Sequence, residues 1–177
     1  MIQDALLEFK RYKATAENAM AQVSDAALDV VPAPDGNSIA MIVRHMSGNL
    51  RSRFTDFLTS DGEKPWRRRD EEFHDRPFPD RAAMMAYWEE GWEVVWREVG
   101  ALTDADADRT VTIRAQPLTV RAALLRAVAH VAYHVGQIIL LARIQQGTQW
   151  DWISIPKGQS ETYNLNPTRE RSPDPPR

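Results

Sequence analysis

Apolar side chains recur every three or four positions in four long stretches of this 177-residue chain. In the second stretch, Ile39, Ile42 and Met46 follow that spacing, which is typical of the buried face of an amphipathic helix. The pattern predicts helices over residues 3–23, 38–58, 80–102 and 119–146. Four helices of this length, with little strand between them, favour an all-α fold and, within that class, a four-helix bundle.

The segments between and after the helices predict smaller features. Residues 110–114 are rich in β-branched side chains, which predicts a short strand or hairpin before the last helix. Residues 63–79 are predicted to form a long loop, and the mixed charges of residues 67–72 are interpreted as a solvated face. Residues 1–165 are predicted to form one domain, and the Pro-rich residues 166–177 a disordered tail.

Two of the helices have unusual compositions. The helix at 119–146 is apolar around most of its circumference and contains no acidic residue, so it is predicted to be the most buried of the four. The helix at 80–102 carries Trp88, Trp92 and Trp96 at four-residue spacing. That spacing indicates either packing in the core or a dimer interface.

Composition narrows the function. The formal net charge of −3 gives no general electrostatic case for binding nucleic acid or an anionic membrane. No secretory pattern opens the chain, and its longest apolar run is interrupted by histidines and a glutamine, so we expect no membrane span and a cytoplasmic location. Because the chain has no cysteine, any metal must use nitrogen and oxygen ligands, and any thiol must arrive on a small molecule.

Three of the four histidines can be brought together by these helices. His130 and His134 are four residues apart on one helix, where Cβ atoms lie roughly 5–6 Å apart. His45 lies beside the apolar stripe of the second helix, so the three imidazoles converge if the two stripes face each other. Together they could hold one divalent metal ion with an open coordination position. The spacing alone is common by chance, but unpaired imidazoles in so apolar a helix would be costly.

Two further residues bear on what such a site could do. The zincin motif needs a glutamate directly after its first histidine, and Val131 stands there instead. His74 could be a fourth ligand only if the loop folded over the site, and long loops usually remain outside. Because a structural site has four protein ligands, three ligands favour a reactive centre over a metal that staples the bundle. A non-catalytic bundle that binds a metal or a small ligand is the alternative.

Other polar side chains are candidates for the surroundings of the metal. Asn49 and Arg53 follow His45 by one and two helical turns, so both are predicted to contact substrate, and Arg53 could bind a carboxylate. Polar contacts at the surface or between helices are the alternative for both. Tyr133 and Gln137 flank the histidine pair and could hydrogen-bond the ligands, although simple packing explains Tyr133 equally well.

The residues around these histidines resemble a known protein family. The resemblance rests on the sequences SIA at 38–40, RHMSGN at 44–49, RSRFTDF at 51–57, DGEKPW at 61–66, AHVAYHVGQI at 129–138 and IPKGQS at 155–160. These are similar to the DinB-like (YfiT-like) metalloenzymes, and more narrowly to a branch still described as a domain of unknown function. The resemblance covers residues 2–164.

The resemblance implies a four-helix bundle, often dimeric, in which His45, His130 and His134 bind a divalent zinc, nickel or iron ion. Some relatives are transferases that use bacillithiol or mycothiol, and others are isomerases or hydrolases that act through such thiols. By this resemblance we expect a divalent-metal-dependent enzyme, a thiol-dependent transferase or hydrolase with a small-molecule substrate. A low-molecular-weight thiol is its expected second cofactor, and a homodimer its expected assembly.

Overall fold

A computed structural model describes residues 1–168, which are mostly helical. The regular elements, in chain order, are α1 (Ile2–Met20), α2 (Asp25–Leu28), α3 (Ile39–Phe54), α4 (Arg81–Gly100), β1 (Thr110–Ile113), β2 (Gln116–Thr119), α5 (Val120–Gln146) and α6 (Ser160–Asn164). Short 3-10 helices lie at Arg69–Phe73, Asp104–Asp106 and Gly147–Gln149. Most of the disordered tail predicted at 166–177 lies outside the described residues.

Capping side chains explain where the long helices begin. The hydroxyl oxygen of Ser38 accepts a hydrogen bond from a backbone N–H in the first turn of α3 at 3.2 Å, and Asp80 caps α4 in the same way at 2.7 Å. α3 ends four residues before its predicted limit. There Thr55 adopts an extended backbone and Asp56 a positive φ of 51°, so the chain leaves the helix and enters the long connection to α4.

The four long helices enclose one hydrophobic core. α1 packs against α4 and α5, and α3 packs against the same two helices, so each long helix has two long neighbours. Trp88 and Trp92 are fully buried, and Trp96 stacks on Trp92 with ring centroids 5.4 Å apart, which favours the core interpretation of the tryptophans. α3 and α4 approach closely at Gly91, where a Cβ would lie 2.8 Å from the Cα of Ser47.

The prediction that the last long helix is the most buried is wrong. α3 buries 13 of its 16 residues, whereas α5 buries 8 of its 27. Leu125, Leu140 and Ile144 project outward from α5 and are 59–61% exposed. Its neighbours α1 and α3 cover only part of its apolar circumference, so an uncovered apolar stripe remains along its outer side.

Within residues 1–168, one helix is long and apolar enough to cross a membrane by length and composition alone. It consists of α5 and the 3-10 turn that follows it, Val120–Gln149. The core helix of a soluble protein passes the same test. α5 packs against α1 and α3 and turns His134 into the interior, which is consistent with a soluble protein.

A two-stranded hairpin precedes α5, as the sequence predicts. β1 and β2 are antiparallel, with Thr110 opposite Thr119. Arg114 and Ala115 form the turn with φ of 54° and 58°, a left-handed conformation that costs free energy for residues with a side chain. The Asp61 carboxylate offsets this cost by accepting hydrogen bonds from both backbone N–H groups, at 2.8 and 2.7 Å. Asp61 thereby attaches the hairpin to the segment that follows α3.

This contact makes the stability of the hairpin depend on pH. Hydrogen bonds from backbone N–H groups, that of Glu63 foremost, lower the pKa of Asp61 from 3.8 to about 2. Because the pKa is lower in the folded state, the ionised carboxylate stabilises the fold above about pH 4, and this contribution disappears as the pH falls towards 2. We expect Asp61→Asn to lower the melting temperature by a few degrees at pH 7 and by less at pH 2.5.

Thermal unfolding followed by circular dichroism at the two pH values measures the difference. Asp75→Asn, a change at an exposed aspartate of the long loop, is the matched control and should have little effect at either pH. An equal destabilisation by Asp61→Asn at both pH values would contradict the role given to its ionised form.

Candidate metal centre

The three imidazoles predicted as ligands meet between α3 and α5. The Nε2 atom of His130 lies 3.3 Å from Nε2 of His45 and 3.2 Å from Nε2 of His134. The ligand atoms of all three lie within 4.8 Å of one another. Nitrogens bound tetrahedrally at roughly 2.0–2.1 Å from one ion are separated by about 3.3 Å, so the two distances that involve His130 match a shared metal.

Hydrogen bonds on the far side of two rings aim their lone pairs at this point. Nδ1 of His45 donates to the Glu72 carboxylate at 2.9 Å, and Nδ1 of His134 donates to the side-chain oxygen of Gln137 at 2.8 Å. Both acceptors require the proton on Nδ1, so Nε2 carries the free lone pair in each ring. The single proton of a neutral His130 can satisfy only one of these lone pairs. A cation at the centre satisfies all three nitrogens, so the residues fit a metal.

Burial keeps two of the imidazoles in the form that binds a metal. It lowers the pKa of His130 to about 3, with further lowering from the neighbouring histidines, His134 before His45. Burial also lowers the pKa of His134 to about 4, against the hydrogen bond to Gln137, which would raise it. Both rings are therefore neutral near pH 7, and no proton has to leave them before they coordinate.

The long loop folds over the site, contrary to the prediction that it remains outside. Glu72 is 6% exposed, and its carboxylate accepts hydrogen bonds from Nε and Nη2 of Arg67, both at 2.8 Å, as well as from His45. The ring of Phe73 lies on that of His45, with centroids 4.7 Å apart. The interpretation of residues 67–72 as a solvated face is therefore wrong for Arg67 and Glu72. Burial would raise the pKa of Glu72, but Arg67 and His45 together lower it, so the carboxylate is ionised.

Gly48 provides the space that this carboxylate occupies. It lies three residues after His45 on α3, and a Cβ at this position would lie 3.0 Å from Cδ of Glu72 and closer still to its Oε1 atom. A side chain here would displace the carboxylate from His45. The glycine is required by this contact and not by its backbone conformation, which is helical.

The remaining predicted site residues have different surroundings. Asn49 and Arg53 both line the cleft above the histidines, but Arg53 donates to the Gly62 carbonyl and to Glu63 and so has protein partners. Tyr133 is 63% exposed, and the edge of its ring meets His134 at 4.9 Å between centroids.

His74 is exposed and lies outside the cleft lining, although the loop that carries it folds over the site. The fourth histidine is therefore not brought to the other three. The loop contributes Glu72, Arg67 and Phe73 instead, none of which the sequence analysis chose. One signal could have found Glu72: a histidine that binds a metal needs an acceptor at its other nitrogen, and no acidic residue lies on α3 or α5 to supply one.

The histidines open onto a cleft of about 460 Å³ between α3, α5, the folded loop and the hairpin. This volume lies in the range of small-molecule sites, roughly 300–1,000 Å³. Ile113 and Arg114 of the hairpin form part of its wall. A small molecule in this cleft would lie directly beside the three nitrogens.

A family model described as "Protein of unknown function (DUF1572)" matches residues 1–159 of the chain. The matched span includes all four long helices and all three clustered histidines. No protein of curated function matches the chain. The match agrees with the resemblance at the level of a family of unknown function, and it does not test the DinB-like relationship.

Loss of the Glu72 contact should weaken metal binding without removing a ligand. We expect Glu72→Gln and Gly48→Ala each to lower the affinity for zinc by roughly 10- to 100-fold, the usual effect of losing a partner that orients a ligand. The first change removes the charge, and the second displaces the carboxylate sterically. Competition with a chromophoric chelator measures both affinities.

Glu71→Gln is the matched control, since Glu71 is the adjacent residue and, within residues 1–168, its carboxylate pairs with the exposed Arg68 alone, at 3.3 Å. It should leave the zinc affinity unchanged. If all three variants bind zinc as tightly as the original protein, Glu72 does not orient His45.

Proposed function

This chain belongs to the DUF1572 family of proteins of unknown function, and from its site we propose that it is a divalent-metal-dependent enzyme. It acts as a thiol-dependent transferase or hydrolase on a small molecule held in the cleft. It is a DinB-like (YfiT-like) four-helix bundle built from α1, α3, α4 and α5. One observation carries the proposal: three imidazoles direct their Nε2 atoms to one point at the side of an open cleft.

The residues of the site have separate tasks in this function. His45, His130 and His134 hold the ion, and zinc, nickel and iron all suit such a set of nitrogen ligands. A bound ion would supply Lewis acidity to a water or thiol held in the cleft. Glu72 and Gln137 fix the orientation of two ligands through Nδ1. Because the chain has no cysteine, a thiol that takes part in the reaction must belong to a separate low-molecular-weight cofactor.

A non-catalytic bundle that binds a metal or small ligand is the second candidate. A structural site would be closed by four protein ligands, and among residues 1–168 the cluster has three members. The cleft beside them is large enough for a substrate, which favours turnover over a structural staple. The cytoplasm, where low-molecular-weight thiols are kept reduced, is the compartment that suits this chemistry.

We further propose that the protein is a homodimer that pairs through the outer side of α5. Trp88 and Trp92 are buried within the chain, so these two side chains are not available to a second copy. The stripe from Leu125 to Ile144 is uncovered, and a Cβ at Gly136 would meet no atom within 4 Å, so a second copy could approach closely there. Sedimentation velocity on the original protein and on Leu140→Arg measures this assembly, and a monomer in both contradicts it.

Metal analysis tests the centre directly. We expect the purified protein to contain about one divalent ion per chain, and His130→Ala to lose it, because two imidazoles cannot replace the third ligand of an open site. His74→Ala removes a histidine outside the cleft and is the matched control, which should retain the ion. Mass spectrometry of metals in the three proteins gives the stoichiometry. A chain that stays metal-free after reconstitution, or a His130→Ala variant that keeps its ion, rules out this centre.

Cobalt substitution distinguishes a reactive metal site from a structural one. An ion with an open position should show a changed visible spectrum when 2-mercaptoethanol is added, because the thiolate enters the coordination shell. A coordinatively saturated ion should show no change, and that result would support a structural role.

A further inference from the structure

Arginines are concentrated around the cleft in a chain that is acidic overall. The formal net charge of the chain is −3, yet five arginines and no aspartate or glutamate are among the residues that line the cleft. They come from α3, the loop, the hairpin and α5: Arg53, Arg67, Arg69, Arg114 and Arg126. Since four separate segments supply them, the concentration of positive charge is a property of the fold and not of one basic stretch.

Two carboxylates behind the lining neutralise part of this charge. Glu72 accepts both hydrogen bonds of Arg67 and is fully engaged, because it also bonds His45. Glu63 is shared by two guanidinium groups, that of Arg114 at 2.9 Å and that of Arg53 at 3.3 Å. With the exposed Asp70 that pairs with Arg69, three carboxylates face the five guanidinium groups. Two formal positive charges remain before a divalent ion adds its own.

The uncompensated charge is centred on Arg126 and Arg69. Arg126 has no carboxylate within ion-pair distance in the described chain, and it lies one helical turn before His130 on the same side of α5. Arg69 pairs with Asp70 at 3.3 Å, but that carboxylate is 95% exposed, so the pair is weakened by solvent. The guanidinium of Arg69 lies 5.1 Å from the centroid of Phe73, the ring that covers His45.

We propose that the cleft recognises the carboxylate or phosphate group of an anionic small molecule, with Arg126 as its principal partner and Arg69 as the second. The site rests on the proposed function, because the anion is the substrate that the metal centre would act on. Arg53, the arginine that the sequence suggested for a carboxylate, is instead occupied by Gly62 and Glu63. A planar guanidinium suits both groups through paired hydrogen bonds, and an anion here relieves the repulsion among the arginines that line the cleft.

Titration calorimetry on the metal-free protein tests this recognition apart from the metal. The probes are succinate and glycerol 3-phosphate, with succinamide and glycerol as neutral counterparts of the same size. We expect at least one anion to bind while the neutral compounds do not, and its affinity to fall when the salt concentration is raised from 50 to 300 mM. The difference between succinate and glycerol 3-phosphate shows whether a carboxylate or a phosphate is the natural group.

Arg126→Gln should weaken binding of the preferred anion by about tenfold, the scale of one lost charge-assisted contact at a partly solvated position. Arg121→Gln is the matched control: it makes the same change of charge on the same helix, but Arg121 pairs with Asp108 outside the cleft. Both arginines are exposed, so both variants should fold, and circular dichroism checks this.

The outcomes separate this inference from the proposed function. Absence of anion binding, equal binding of the neutral compounds, or an equal effect of Arg121→Gln overturns anion recognition at Arg126, even if the protein binds its metal. Anion binding that depends on Arg126 in a chain that never binds a metal supports the recognition site and overturns only the metal enzyme.

Discussion

The Glu72 carboxylate is the buried charge that joins α3 to the folded loop at the candidate metal centre. It accepts hydrogen bonds from His45 on α3 and from Arg67 at the start of the folded loop, and it lies in the space left by Gly48. Removing one partner of such a buried set leaves an uncompensated charge, which is strongly destabilising. The tautomer of His45 and the packing of Arg67 beside it therefore depend on this carboxylate.

The site residues that could be predicted from the sequence are those whose relative positions follow from local helix geometry. His130 and His134 share one side of α5 because any helix brings residues four apart together. His45 required one further assumption, that two apolar stripes face each other, and the contact between α3 and α5 satisfies it. Glu72 is 27 residues from His45 in a run of mixed charges. Such runs are usually solvated, so no local pattern separates this carboxylate from its exposed neighbours.

The prediction that α5 is the most buried helix was wrong for a different physical reason. An apolar circumference shows how much surface a helix could bury, but the number of neighbours decides how much it does bury. α3 contains Arg44, His45, Ser47 and Ser52 and is nevertheless the more buried helix, because α4, α5 and the loop surround it. Its polar groups are tolerated because they have partners, such as the Tyr87 carbonyl for Ser47 and the Gly62 carbonyl for Ser52.

α5 carries two of the three imidazoles on its inner side and the uncovered apolar stripe on its outer side. Over this length a helix moves as a nearly rigid rod, so His130 and His134 keep their separation when α5 slides or turns. Their distances to His45, which belongs to α3, change instead. A displacement of about 1 Å is roughly half a metal–nitrogen bond length, and packed helices commonly shift by that amount. A contact that displaces α5 from its outer surface therefore changes the coordination geometry of the metal centre on its inner side.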